Sequence, residues 1–112
     1  MILSHWIKVT EAAKAPLNSG FCYSHGSEQI AIFNFNRETW YATQNLCPHQ
    51  KQMVMSRGLI GDSQGQPKVS CPLHKNAFSL KTGQCLDQDK SWSLKTYAVK
   101  VEEGQVFIEV DA

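Results

Sequence analysis

The 112-residue sequence lacks a strong charge of either sign, with 11 Lys and Arg against 10 Asp and Glu and a formal net charge of +1. No basic run offsets that balance locally, so the electrostatic footprint of a nucleic-acid-binding protein is missing. Long apolar runs are missing too. Nothing approaches the roughly 18 consecutive residues that a membrane helix needs. The N-terminal Met1-Ile2-Leu3-Ser4-His5-Trp6 has no basic segment followed by an apolar one and does not read as a signal peptide. Neither GxGxxG nor GxxxxGK[ST] occurs, so any nucleotide chemistry belongs to another chain or domain. No Ser–His–Asp arrangement or other nucleophile set is present, and the chain is not expected to be catalytic alone. Repeats, low-complexity segments and interdomain linkers are absent as well.

What remains is 42% hydrophobic and 19% charged, the composition of a folded domain rather than a disordered chain. The length predicts one domain, residues 1–112, with one modest core. A cytoplasmic location is expected. Thiols there are kept reduced, so the four cysteines read as ligands or core residues rather than a disulfide framework.

The pattern is that of short strands. Trp6-Ile7-Lys8-Val9 is the first, followed by a helical turn over residues 10–15 that Pro16 and Asn18-Ser19-Gly20 stop. Gly20 to His25 is a second strand, and a turn at Gly26-Ser27-Glu28 leads into Gln29 to Phe35. In that run Ile30, Ile32 and Asn34 share one face and Ala31, Phe33 and Phe35 the other, so both faces are predicted to be buried. Asn36-Arg37-Glu38 turns into a strand at Trp40-Tyr41-Ala42-Thr43. Later, Ala77 to Leu80 alternates, residues 81–84 form a tight turn, and Cys85-Leu86 returns. Residues 87–93 are read as a surface loop. Tyr97, Val99 and Val101 alternate towards a hairpin at Glu103-Gly104, and Val106, Ile108 and Val110 line one face of the returning strand. The fold class is all-β, a sandwich or small barrel.

Two boxes carry chemistry: Cys47-Pro48-His49 and, after 21 intervening residues, Cys71-Pro72-Leu73-His74. Each supplies one thiol and one imidazole beside a proline that stiffens the backbone around the cysteine. A typical zinc finger presents a Cys pair and then a His pair. One Cys and one His from each of two loops instead suits a two-iron centre in which two Cys hold one iron and two His the other. Such a ligand set is neutral when oxidised, whereas four thiolates leave a dianion. A neutral centre accepts an electron more readily, hence potentials of roughly −150 to +300 mV against about −400 mV for plant-type all-Cys clusters. Zinc takes the same ligands and is the competing occupant.

These boxes resemble the Rieske [2Fe–2S] motif, and Phe78-Ser79-Leu80-Lys81-Thr82-Gly83-Gln84-Cys85-Leu86 resembles the F-x-L-x-T-G-x-x-L segment that follows it in Rieske ferredoxins. Ser56-Arg57-Gly58-Leu59-Ile60-Gly61 and Pro72-Leu73-His74-Lys75 look like the small-subunit family of assimilatory NAD(P)H-dependent nitrite reductase. The likeness runs from Trp6 to Val110. It implies a Rieske-type antiparallel β-sandwich with two ligand loops at one tip. Cys47, His49, Cys71 and His74 would hold the cluster, and the two imidazole edges would pass electrons. The implied partner is a large subunit carrying FAD, siroheme and a [4Fe–4S] cluster, which reduces nitrite to ammonium.

Where Rieske ferredoxins usually have glycine after the second histidine, Lys75 stands here, which turns the likeness away from a free-standing ferredoxin serving an oxygenase. That ferredoxin is the second reading. A non-redox or zinc-binding module that only stabilises the large subunit is the third. Residues 50–52 and 75–77 lack the extra cysteines of high-potential Rieske proteins, and Asn76 and Phe78 replace their hydroxyl residues, so the low end of the potential range is expected. Cys22 and Cys85 read as small buried residues, and His5 and His25 as surface ones. Met53, Val54 and Met55 are expected to pack under the first loop. Lys51, Arg57 and Lys75 are expected to form a solvated rim, and Trp6, Trp40 and Trp92 to be core or edge aromatics.

Overall fold

A strand that is apolar on both faces must be covered on both faces, and Gln29 to Phe35 organises the molecule accordingly. The structure, a computed structural model, describes residues 4–15, 17–26, 28–35, 39–47, 53–63, 65–72, 77–86 and 93–111. Among them are the strands β1 (Ser4–Glu11), β2 (Ser19–His25), β3 (Glu28–Asn34), β4 (Trp40–Gln44), β5 (Leu59–Ser63), β6 (Gln66–Ser70), β7 (Ala77–Ser79), β8 (Thr96–Tyr97), β9 (Val99–Glu102) and β10 (Gln105–Asp111). They form three antiparallel sheets, ordered β1-β10-β9, β2-β3-β4-β8 and β5-β6-β7. Helix among the described residues is limited to the 3-10 turns Ala12–Lys14 and Met55–Arg57, and none is long and apolar enough to cross a membrane.

The pleat of β3 divides its side chains between two cores, as its period-two pattern predicts. Ile30 and Ile32 join Trp40, Ala42, Val106, Ile108 and Val110 between the four-stranded sheet and β10. Ala31 and Phe33 join Val69, Phe78 and residues of the connecting loops on the other side. Phe35 packs against this second core, where its ring meets Tyr41 edge-on at 5.5 Å. Asn34 is buried on the first face, and its Nδ2 donates to the Ala15 carbonyl at 3.4 Å.

The hairpin between β9 and β10 turns at Glu103 and Gly104, both at positive φ (52° and 76°), the two-residue turn whose twist matches its strands. Elsewhere tertiary pairing overrides local pattern. The helical turn expected over residues 10–15 is strand as far as Glu11, because Glu11 pairs with Gln105 and a bulge at Val9 keeps β1 in step with β10. Only the 3-10 turn follows. The run Tyr97 to Val101, read as one strand, divides between two sheets. β8 pairs with β4, β9 pairs with β10, and the Ala98 carbonyl at the corner accepts from the Glu109 N–H at 3.0 Å. The β5–β6 hairpin was not anticipated from the pattern.

Candidate metal centre

The two sequence boxes occupy two loops of equal length that are closed in the same way. An antiparallel bridge between Leu46 and Met53 closes residues 47–52. The last pair of β6 and β7, Ser70 with Ala77, closes residues 71–76. Each candidate cysteine is therefore the first residue beyond a paired backbone position, an isolated bridge for Cys47 and the end of a sheet ladder for Cys71. Cys47 and Cys71 are both 0% exposed and lie in one cluster with Met55, Val69, Phe78, Leu80, Cys85 and Leu94. None of the four cysteines is in a disulfide. His49 and His74 lie outside the described residues, as do Lys51, Lys75 and Trp92. Among the described residues no group of three or more His, Cys, Asp or Glu side chains comes together.

The residues around the second loop explain the F-x-L-x-T-G pattern. Phe78 and Leu80 point into the cysteine cluster, and buried Ser79 between them organises the following turn. Its hydroxyl accepts from the Lys81 and Thr82 N–H groups at 3.2 Å each and from Gln66 Nε2 at 2.8 Å. Gly83 then adopts φ +82°, donates to the Ser79 carbonyl at 2.8 Å and accepts from the Leu94 N–H at 2.7 Å. A Cβ on Gly83 would overlap the Leu94 carbonyl oxygen, so glycine is required twice over. This turn seats both Leu80 and Leu94 beneath the cysteines.

The first loop rests on two residues that the pattern did not single out. Gln44 Nε2 donates to the Leu46 carbonyl at 2.8 Å, and its Oε1 accepts from the Lys95 N–H at 2.8 Å. Asn45, 1% exposed, bonds to β3 on one side and to residues 55–56 on the other. A polar residue between the apolar strand and the first cysteine box was the signal available in the sequence.

Other expectations divide. Cys85 and Met55 are buried, Val54 is half-buried against the cysteine cluster, and Arg57 is exposed, all as expected. Met53 is not packed under the loop but 43% exposed. Cys22 is exposed rather than buried, because β2 borders its sheet and Cys22 and Ser24 take its outer side. Partial desolvation nevertheless pushes the Cys22 thiol above its ordinary pKa. His5 is exposed, and His25 is half-buried. Trp40 is in the core, while Trp6 is 37% exposed with the Lys100 ammonium 4.5 Å from its ring centre.

Two water-excluded thiols at the starts of two braced loops form a soft donor pair, the kind that iron–sulfur clusters select. The donor set fits that group. Comparisons with known proteins point the same way. Residues 5–109 match the Rieske-like [2Fe–2S] domain family. The nitrite reductase (NADH) small subunit of Salmonella typhimurium is 34% identical over 105 residues, 93% of this chain and 96% of that protein. The nitrite reductase [NAD(P)H] large subunit of Klebsiella oxytoca is 35% identical over 103 residues, which span 92% of this chain but 11% of that one. A crystal structure of an NADH-dependent nitrite reductase small subunit from Mycobacterium tuberculosis superposes with a TM-score of 0.91 at 29% identity, covering 98% of each chain.

Proposed function

Since the chain belongs to the Rieske-like [2Fe–2S] domain family, we propose that it is the electron-transfer small subunit of a cytoplasmic NAD(P)H nitrite reductase that converts nitrite to ammonium. Cys47 and Cys71 would hold one iron of the cluster, and His49 and His74 the other. When bound, the cluster supplies reversible one-electron transfer. The chain's own part is to hold two thiolates in fixed positions, keep water from them with Met55, Phe78, Leu80 and Leu94, and place the ligand loops where a partner can approach. Asn76 and Phe78 stand where high-potential Rieske proteins place hydroxyl residues, which favours a potential near the low end of the Rieske range, roughly −150 mV.

The observation that carries this reading is the pair of matched loops, each beginning with a buried cysteine in one shared cluster. The partner is a large subunit that carries FAD, siroheme and a [4Fe–4S] cluster, where nitrite is reduced. The Klebsiella oxytoca relative supports the partnership, because its counterpart of this chain is a segment of the large polypeptide itself.

The test is iron and acid-labile sulfide analysis of anaerobically purified protein, with EPR after dithionite reduction. Two irons and two sulfides per chain with a Rieske-type signal are expected. Protein that takes up only zinc after careful reconstitution would overturn the electron-transfer role in favour of a structural one.

A further inference from the structure

Asn45 uses every hydrogen-bonding group it has while almost fully buried. Its backbone N–H donates to the Gln29 carbonyl at 2.9 Å, and its own carbonyl accepts from the Met55 N–H at 3.0 Å. Oδ1 accepts from the Ser56 N–H at 2.7 Å. Nδ2 donates to Gln29 Oε1 at 3.1 Å and to Cys22 Sγ at 3.5 Å. The Ser56 N–H admits only an acceptor, so the orientation of the side-chain amide follows from its partners.

The placement of these bonds matters more than their number. Asn45 lies two residues before Cys47, and Met55 and Ser56 lie just beyond the Leu46–Met53 bridge that closes the loop. One residue therefore ties together the entry and the exit of residues 47–52 and anchors both to β3. It also fixes the backbone of Met55, whose side chain packs in the cluster that holds Cys47 and Cys71. We propose that Asn45 is the positioning residue of the first ligand loop, and that its side-chain amide sets where Cys47 presents its thiolate to the cluster. The proposal rests on the ligand assignment made above.

Two side-chain functions are separable. Oδ1 holds the exit of the loop, and Nδ2 holds the anchor on β3. Alanine removes both and leaves the two backbone bonds of residue 45 as the remaining brace. Aspartate keeps the acceptor for the Ser56 N–H, and rotation of the Gln29 amide offers it a donor in place of Oε1. Asn45→Asp is thus a conservative rescue of Asn45→Ala. Outer-shell partners of this kind are typically worth about 10–100-fold in metal retention.

The test uses the full chain, assembled anaerobically as wild type, Asn45→Ala and Asn45→Asp. It reads the EPR g-values of the reduced cluster and the rate at which a strong ferrous chelator removes iron. Asn45→Ala is expected to lose iron about 10–100-fold faster than wild type with shifted or broadened g-values, and Asn45→Asp to fall between the two. If both variants keep wild-type g-values and release rates and lose only thermal stability, Asn45 is a structural residue and the proposal is overturned. Should the alanine variant fail to fold, the aspartate variant decides, since wild-type behaviour from it would overturn the proposal equally. A wild-type chain that binds no iron would instead overturn the ligand assignment, and this role with it.

Discussion

The two faces of the central sheet are packed in different ways. The core against β10 is built from Ile30, Ile32, Trp40, Ala42, Val106, Ile108 and Val110, all of them strand residues and none containing sulfur. The core against β6 and β7 contains Cys47, Cys71, Cys85 and Met55, two phenylalanines and two leucines, with Val69 the only β-branched member among the described buried residues. Six of its ten residues lie outside the strands, on turns and loop starts. β-Branched side chains have few rotamers and suit the pleated surface, so the first core makes a stiff scaffold. The second assembles its side chains from irregular backbone, which only specific hydrogen bonds can hold in place. The two candidate cysteines sit where packing is less regular, and the scaffold is kept on the opposite face.

That contrast can be broken most sharply at the cysteines. Cys71→Ser is expected to abolish the Rieske EPR signal completely while far-UV circular dichroism stays that of the folded chain. A change in the far-UV spectrum would show that the site and the scaffold are not separable. Next come two truncations, one on each side. Ile108→Ala and Phe78→Ala should each lower the unfolding free energy of the cluster-free chain in urea, by about 2–5 and about 3–5 kcal/mol respectively. Only Phe78→Ala should also shift the g-values of the cluster. Equal spectroscopic effects would remove the distinction between the cores. Gly83→Ala forces a left-handed residue against the Leu94 carbonyl and should cost about 1–3 kcal/mol, with faster iron loss because Leu80 and Leu94 move. The smallest effect is expected on the scaffold side. Glu103→Asn puts a residue tolerant of positive φ into the β9–β10 turn and should stabilise by about 1 kcal/mol or less, without altering the potential.

The scaffold was legible in the sequence because regular strands advertise themselves. The two faces of Gln29 to Phe35, the inward row Val106, Ile108 and Val110, and the turn at Glu103-Gly104 each follow from a period of two or from turn chemistry. The β5–β6 hairpin stayed hidden because Gly61-Asp62-Ser63 and Gln66-Pro67 are poor strand formers, held in place by pairing with neighbours. The residue type of Cys22 suggests burial, whereas the position of β2 at a sheet border decides its exposure. In the candidate site, the two cysteine boxes stand out by their spacing. Asn45 and Gln44 do not, since their partners, Ser56 and Lys95 among them, are brought near only by the fold.

The pairing of the first strand with the last has a consequence of another kind. Ser4 stands opposite Asp111, so the polypeptide enters and leaves at neighbouring positions in the sheet that covers the scaffold face. Closely spaced ends are the geometry in which a fold tolerates being spliced into a longer chain. Flanking sequence joined at those two points would emerge from one corner, across the central sheet from the cysteine core. Such a unit can therefore serve as a separate chain or as a built-in segment without any change to the two loops that begin at Cys47 and Cys71.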